Sequence, residues 1–316
     1  MAFDFAAVTA PFRMHPGLRR LGPDVSHLTP TAPGDRAVRE KLAVLASFPG
    51  EALVMVPGFD PAPAREALVD RAIDEHPEAF ARLGVNTFNA PRLGWTLCDG
   101  EPEGEGPPEI GACLGAIAPE WRLTGLLALA FAQDVAVIEG DGRIPWIAAC
   151  LPSNWAPEDK VGRVFTQVHA PVADNAMLIA AAGALADLVT SGEEWERYVW
   201  TITDDPRLHR HPRRVAPARW DPALDADGLA AHAWLRTERQ TFLPVPGLRQ
   251  AVFTIEVDVR ALAEAVVDAD AARRLHASLA SMSAAVLAYR GLAPARERLL
   301  DWLDRRAREL ESVQGT

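Results

Sequence analysis

The spacing of hydrophobic positions changes twice along the 316 residues. Up to about Arg122 the pattern is mostly helical and broken by prolines. Val38, Leu42 and Leu45 recur at helical spacing within residues 35–47. Residues 64–83 form a second helical stretch, with Pro63 suited to its start and Pro77 marking a kink or break. Residues 99–108 (DGEPEGEGPP) read as an acidic loop, and residues 119–133 as an apolar, buried helix. The period then shortens. Residues 134–139 (DVAVIE) and 144–151 (IPWIAACL) flank Gly140-Asp141-Gly142, which predicts a hairpin. A Pro-rich connection over 151–173 leads to an Ala-rich helix over 176–190, which Gly192 can end. Three further strands are predicted over 196–203, 234–244 and 250–257. The pattern over 259–310 is helical again; Pro294 opens an amphipathic helix carrying Leu299, Leu300, Leu303 and Leu310.

Two strands, helices, then three strands is the order of a PAS-like fold. The expected class is α+β: a five-stranded antiparallel sheet with helices on one face, leaving a pocket between, plus helical N- and C-terminal extensions. The corresponding divisions are residues 1–122 (N-terminal extension), 123–258 (PAS-like core) and 259–316 (C-terminal helices).

Charge and cysteines narrow the function. A formal net charge of −11 repels phosphate backbones, which argues against a nucleic-acid partner. It suits a cationic ligand only weakly, since solubility explains it as well. Cys98, Cys113 and Cys150 form no CxxC pair, which argues against a disulfide framework and against an iron–sulfur or cysteine-ligated zinc site. Residues 1–10 have no basic region followed by a long apolar run, and residues 123–132 are too few to span a bilayer. The expectation is a cytoplasmic protein without a membrane partner. There is no GxGxxG, P-loop, GxSxG or HExxH, so NAD(P) or FMN binding by this chain is not expected.

Three stretches could carry chemistry. LPSNWAPEDKVGRVFTQVHAPV (151–172) places His169 just before the Ala-rich helix, where a neutral imidazole could ligate heme iron. From the residues alone, a packed or surface histidine is the commoner outcome. WLRTERQTFLPVPGLRQAVFTIEV (234–257) alternates, so Arg236, Glu238 and Gln240 share one face and Thr237, Arg239 and Thr241 the other. A cation, an anion and an amide together could hold an amine and polarise oxygen; a solvent-facing row of charges is the alternative. EWERYVWTITDD (194–205) puts Arg197 and Val199 on one face, and Tyr198 and Trp200 on the other. Arg197 could face a bound ligand or pair with a surface carboxylate. His209 and His211 have a spacing that could bind a metal on a strand, but Arg207, Arg210, Arg213 and Arg214 surround them. That segment reads as a solvated basic loop able to dock an acidic partner.

These stretches resemble the signature blocks of the heme-dependent oxidative N-demethylases. PSNWAPEDKVGRVFTQVHAPV is similar to the family's Pro-Ser-x-Trp, Lys-x-Gly and His-x-Pro-Val block. LRTERQTFLPVPGLRQAVFTI is similar to its Arg-x-Glu-Arg-Gln-Thr-Leu and Phe-Thr-Ile block, RYVWTITDDP to its Arg-x-Asn-Trp block, and PFRMHPGLRRL to its Phe-x-Met-Gly-Leu opening. The blocks keep their order from Pro11 to Ile255. Three departures stand out: Val199 replaces the family's Asn, Glu256-Val257-Asp258 replace its Arg-Thr-Tyr, and the opening carries His15-Pro16 in addition.

The resemblance implies a heme b subunit of a monooxygenase that N-demethylates a small secondary amine using O2. It also implies a partner reductase carrying NADPH, flavin (FMN) and iron–sulfur sites. His169 is then the axial ligand, with Lys160 and Arg163 as candidates for the heme propionates. Arg197, Arg236 and Glu238 are candidates for the substrate-facing side: an arginine as donor to oxygen, and Glu238 as anchor for the ammonium or as base. A heme-PAS gas or redox sensor, a heme enzyme acting on a larger nitrogen compound, and a heme-free scaffold remain alternatives.

Overall fold

The computed structural model describes residues 3–314. Eleven strands run in chain order: β1 (Arg19–Arg20), β2 (Leu53–Met55), β3 (Ala81–Gly84), β4 (Thr87–Ala90), β5 (Trp95–Cys98), β6 (Glu101–Gly104), β7 (Asp134–Glu139), β8 (Trp146–Ala148), β9 (Trp195–Thr203), β10 (Trp234–Pro244) and β11 (Gln250–Ala261). All five strands expected from the sequence form and lie next to one another, but they do not make up the whole sheet. The sheet is seven-stranded and antiparallel, in the order β1-β9-β10-β11-β7-β8-β2. The two additional strands come from the N-terminal region and pair along the outer edges, Arg19 opposite Glu196 and Leu53 opposite Ala148. At two and three residues they are too short to show an alternation of their own.

The N-terminal region also departs from the helical expectation. Helices Arg36–Ser47 and Ala62–Glu75 form, the second ending just before His76-Pro77. Residues 81–104 then fold into a separate four-stranded meander, β3-β4-β5-β6, so part of the expected acidic loop is strand. Glycine makes this possible at two close approaches. Gly94 turns at φ +70°, and a Cβ there would lie 2.9 Å from Gly106 Cα. Gly111, in helix Pro108–Ala116, lets the Trp95 indole lie against the helix backbone; a Cβ would meet the ring at 1.9 Å.

The helical insertion between β8 and β9 is three short helices rather than one: Phe165–His169, Ala176–Ala180 and Ala182–Val189. The C-terminal part is helical as expected, with Ala269–Ala280, Ala284–Tyr289 and Arg296–Gln314 as its main helices. Among the described residues, no helix is long and apolar enough to cross a membrane. Cys98, Cys113 and Cys150 are unpaired.

The sheet is covered on both faces. On one, Val135, Val137 and Val252 join the core built by the N-terminal helices. Lys41 fastens that layer: fully buried, its Nζ donates to the carbonyls of Phe131 (3.1 Å) and Gln133 (2.6 Å) and pairs with Asp134 at 3.4 Å. On the other, Phe242, Ala251 and Phe253 pack with Ile144 and Val189, so the helical insertion covers this side. The C-terminal helices cover Trp200, Ile202 and Leu235 near the free edge of β9.

Candidate functional site

The register along β9, β10 and β11 is unbroken, so directly opposed residues share a face. Glu238 stands opposite Val199 on one side and Val257 on the other; Gln240 stands opposite Arg197 and Ile255. Arg197, Arg236, Glu238 and Gln240 therefore lie on one face, the face covered by the insertion. Arg239 and Thr241 lie on the opposite face. There Arg239 pairs with Glu196 at 3.1 Å, and Thr241 bonds His27 (2.8 Å) and Thr254 (2.6 Å).

The three candidates on this face differ in how their polar groups are met. Arg236 is buried, 2% exposed. Its Nε–H donates to Ser153 Oγ at 2.8 Å, and its terminal N–H groups reach the carbonyls of Arg207 (3.0 Å), Leu208 (2.8 Å) and Leu151 (3.5 Å). Burial pushes its guanidinium down to about 10. Glu238 is buried too; it accepts a hydrogen bond from Ser153 Oγ on Oε1 and one from Gln240 Nε2 on Oε2 at 2.6 Å. Arg197 has no hydrogen-bond or ion-pair partner among the described residues, and its Nε is buried without one. Burial holds its guanidinium below the usual arginine range, with the charge of Glu238 acting in the opposite sense.

His169 ends the five-residue helix Phe165–His169. Its Nδ1 lies 2.9 Å from the Phe165 carbonyl, which can only accept; Nδ1 therefore carries the proton and Nε2 is left with its lone pair. The ring stacks on Phe165 with centroids 4.0 Å apart. Burial, and then the charges of Arg197 and Lys160, push the imidazole down to about 4 against the pull of the Phe165 carbonyl, so it is neutral at pH 7. Lys160 Nζ donates to the Val168 carbonyl at 2.7 Å, next to His169; burial and the Arg163 charge lower it. Arg163 is exposed. Its backbone is held to Ile144, and its side chain has no partner among the described residues. The fold thus brings Lys160 and Arg197 within electrostatic reach of His169, leaves Arg163 at the rim, and ties Arg236 into the backbone beneath.

Sequence reasoning missed Ser153, which joins Arg236 to Glu238; its only signal was its place in the Pro-Ser-x-Trp block. Of two rim groups, it marked His15 only as part of the additional His15-Pro16 and missed Tyr289. His15 is lowered by burial and by Arg197, and Tyr289 is raised by burial and also by Glu238. In the basic loop over 207–214 the cations Arg207, Arg213 and Arg214 stay exposed, as expected of a solvated loop, while Leu208, Arg210 and His211 are buried. Arg207 pairs with Asp205, Arg210 (3% exposed) with Asp205, Arg213 with Glu158, and Arg214 with Glu51. Each of these cations faces a carboxylate of the chain. His209 Nδ1 meets the Cys150 carbonyl at 2.7 Å, and the buried His211 meets Glu158 at 3.2 Å. Among the described residues, no group of three or more His, Cys, Asp or Glu could hold a metal ion. A heme iron needs only one such ligand from the chain, because the macrocycle supplies the rest.

Residues 126–300 match the model of the family described as haem-dependent oxidative N-demethylase, alpha subunit-like. The match spans β7 to the start of the last helix and includes every candidate above, so the chain belongs to that family.

Proposed function

We propose that the protein is the heme b-binding, O2-using subunit of an amine-oxidising system, and that His169 is the residue that holds the iron. The observation that carries this reading is the state of His169: neutral, its Nδ1–H committed to a carbonyl, its Nε2 unbonded among the described residues. A carbonyl on the far nitrogen is the usual way to orient a ligating imidazole and raise its basicity. The surroundings fit the group. Lys160 and Arg163 are cations for its propionates, and Arg197 has an orphaned donor. The strand order β8-β7-β11-β10-β9, with helices inserted between β8 and β9 on one face, supports the PAS-like reading of the core.

Heme, when bound, supplies the activation of O2. The chain's own residues handle the substrate. Glu238 receives the substrate as an ammonium and takes up the proton it sheds, with the amine's alkyl groups against Val199 and Val257. Arg197 offers N–H donors where negative charge develops, a role for which Arg236, with four of its five N–H groups bonded to Ser153 and to carbonyls, has less to give. In balance, a substituted amine, O2, two electrons and two protons give the shorter amine, an aldehyde and water. The electrons come from a separate NADPH-dependent flavin and iron–sulfur reductase, which places the reaction in the cytoplasm.

The test is the absorption spectrum of purified protein after addition of hemin. A Soret band that shifts on reduction and again with carbon monoxide is expected, and His169→Ala should lose stable heme. No Soret band in the parent protein would overturn the heme reading; full heme retention by the variant would overturn His169 as ligand. Amine-dependent oxygen consumption with a reductase then separates an enzyme from a sensor.

A further inference from the structure

Ser153 lies outside the strands, in the connection that follows β8, yet it touches two of the site's charged side chains. Its Oγ accepts the Nε–H of Arg236 at 2.8 Å and bonds Glu238 Oε1. A hydroxyl has one proton to give. With Arg236 able only to donate, that proton is directed to Glu238. Gln240 donates to the other carboxylate oxygen at 2.6 Å. The chain of bonds has one direction, Arg236 to Ser153 to Glu238, met from the far side by Gln240. Both oxygens of Glu238 are thereby engaged as acceptors, and their remaining lone pairs are open only to another donor.

Arg236 also reaches the carbonyl of Leu151, so the segment carrying Ser153 is held to β10 at two points, and the carbonyls of Arg207 and Leu208 tie in the loop after β9. The same segment runs on to His169. Ser153 is therefore the joint between the wall that bears His169 and the sheet face that bears Glu238.

We infer that Ser153 is a positioning residue: by passing a hydrogen bond from Arg236 to Glu238 it fixes Glu238 as an acceptor aimed at a substrate that must bring an N–H of its own. The substrate class that follows is a protonated primary, secondary or tertiary amine, whereas a quaternary ammonium has no proton to offer. This rests on the reading of Glu238 given above, and the two can fail separately.

The probe is dimethylammonium chloride, titrated into the heme-loaded full-length protein and followed by the shift of the Soret band and by calorimetry, with tetramethylammonium as the control. The parent should bind the first and not the second. Loss of a hydrogen bond to a charged group weakens binding by about ten-fold or more. Ser153→Ala and Glu238→Gln should each do so with heme content unchanged. Ser153→Thr, which keeps the hydroxyl, should stay within about two-fold of the parent, and the double variant should bind no more weakly than Glu238→Gln alone. Should Ser153→Ala fail to load heme, Ser153→Cys, near-isosteric and a poor donor, must show the same loss. Unchanged affinity in the Ser153 variants beside a loss in Glu238→Gln overturns the role of Ser153. Unchanged affinity in Glu238→Gln overturns the reading of Glu238 itself. Equal binding of tetramethylammonium overturns the substrate class.

Discussion

A guanidinium withdrawn from water is tolerated only where its N–H groups find acceptors. Arg236 and Arg197 share a sheet face and answer this requirement in opposite ways. Arg236 has given its donors to Ser153 and to backbone carbonyls, whereas Arg197 keeps a buried Nε with nothing to bond among the described residues. A charge whose N–H groups are mostly engaged serves the fold, whereas the open one is the donor that the proposed function uses. The sequence shows two arginines on strands and cannot rank them, because the acceptors of Arg236 are carbonyls from residues 151, 207 and 208. Replacing Arg236 by Met should destabilise the protein by about 3–5 kcal/mol, since it orphans those acceptors and unseats Ser153. Arg163→Met, at an exposed site, should change stability by less than about 0.5 kcal/mol. Urea denaturation of both variants is the measurement; equal stabilities would show that other donors take over.

Among the elements, β10 was the most legible. Its polar residues fall into two alternating sets, Arg236, Glu238 and Gln240 against Thr237, Arg239 and Thr241, and the unbroken register from Trp234 to Pro244 keeps them on opposite faces. Both faces turn out to be buried, so the charged residues point inward rather than to solvent. The sequence left this open because a row of charges looks alike in a solvated strand and in a polar site. β1 and β2 could not be read at all: their strand character comes from the edges they meet. The meander β3–β6 was hidden by glycines and prolines that serve turns and loops equally well.

On its far face β10 is fastened by His27, fully buried between Thr241 (2.8 Å) and Glu194 (2.9 Å). Burial holds this imidazole below 6.5, though Glu194 pulls it the other way. As pH falls below about 6.5 the unfolded chain takes up the proton first, so the stability His27 contributes at neutral pH is lost as pH falls through its folded value. The parent should therefore lose more stability between pH 7.5 and 5.5 than His27→Gln does. Parallel losses in the two proteins, read from urea titrations, would remove His27 as the cause.

For the molecule as a whole, the candidate site is assembled from distant parts of the chain. His15, His169, Arg197, Glu238 and Tyr289 come from five separate segments. Arg290 is where the two ends of the chain meet. It donates to the Trp200 carbonyl at 2.6 Å and lies over the ring of Phe12 at 4.6 Å. Arg290→Leu should loosen both ends together, giving faster amide hydrogen exchange over residues 5–18 and 281–291 while β7 and β11 stay protected. Faster exchange in only one of these segments would show that they are held independently. The family blocks pointed to His169, Arg197 and Glu238 and set His15 apart as an addition, but they did not point to the joint at Ser153 or the rim group Tyr289, whose neighbours are set by tertiary packing.

The position of β11 bears on how the protein is made. It is the last strand among the described residues, yet it lies between β7 and β10 in the middle of the sheet. While a ribosome is still adding residues before Gln250, β7 and β8 have no partner across that gap, and β9 with β10 forms a detached hairpin. His169 has by then long been synthesised, but the sheet that the insertion covers is still incomplete. Translation thus runs in a different order from construction of the site, and the histidine waits for residues made some eighty positions later.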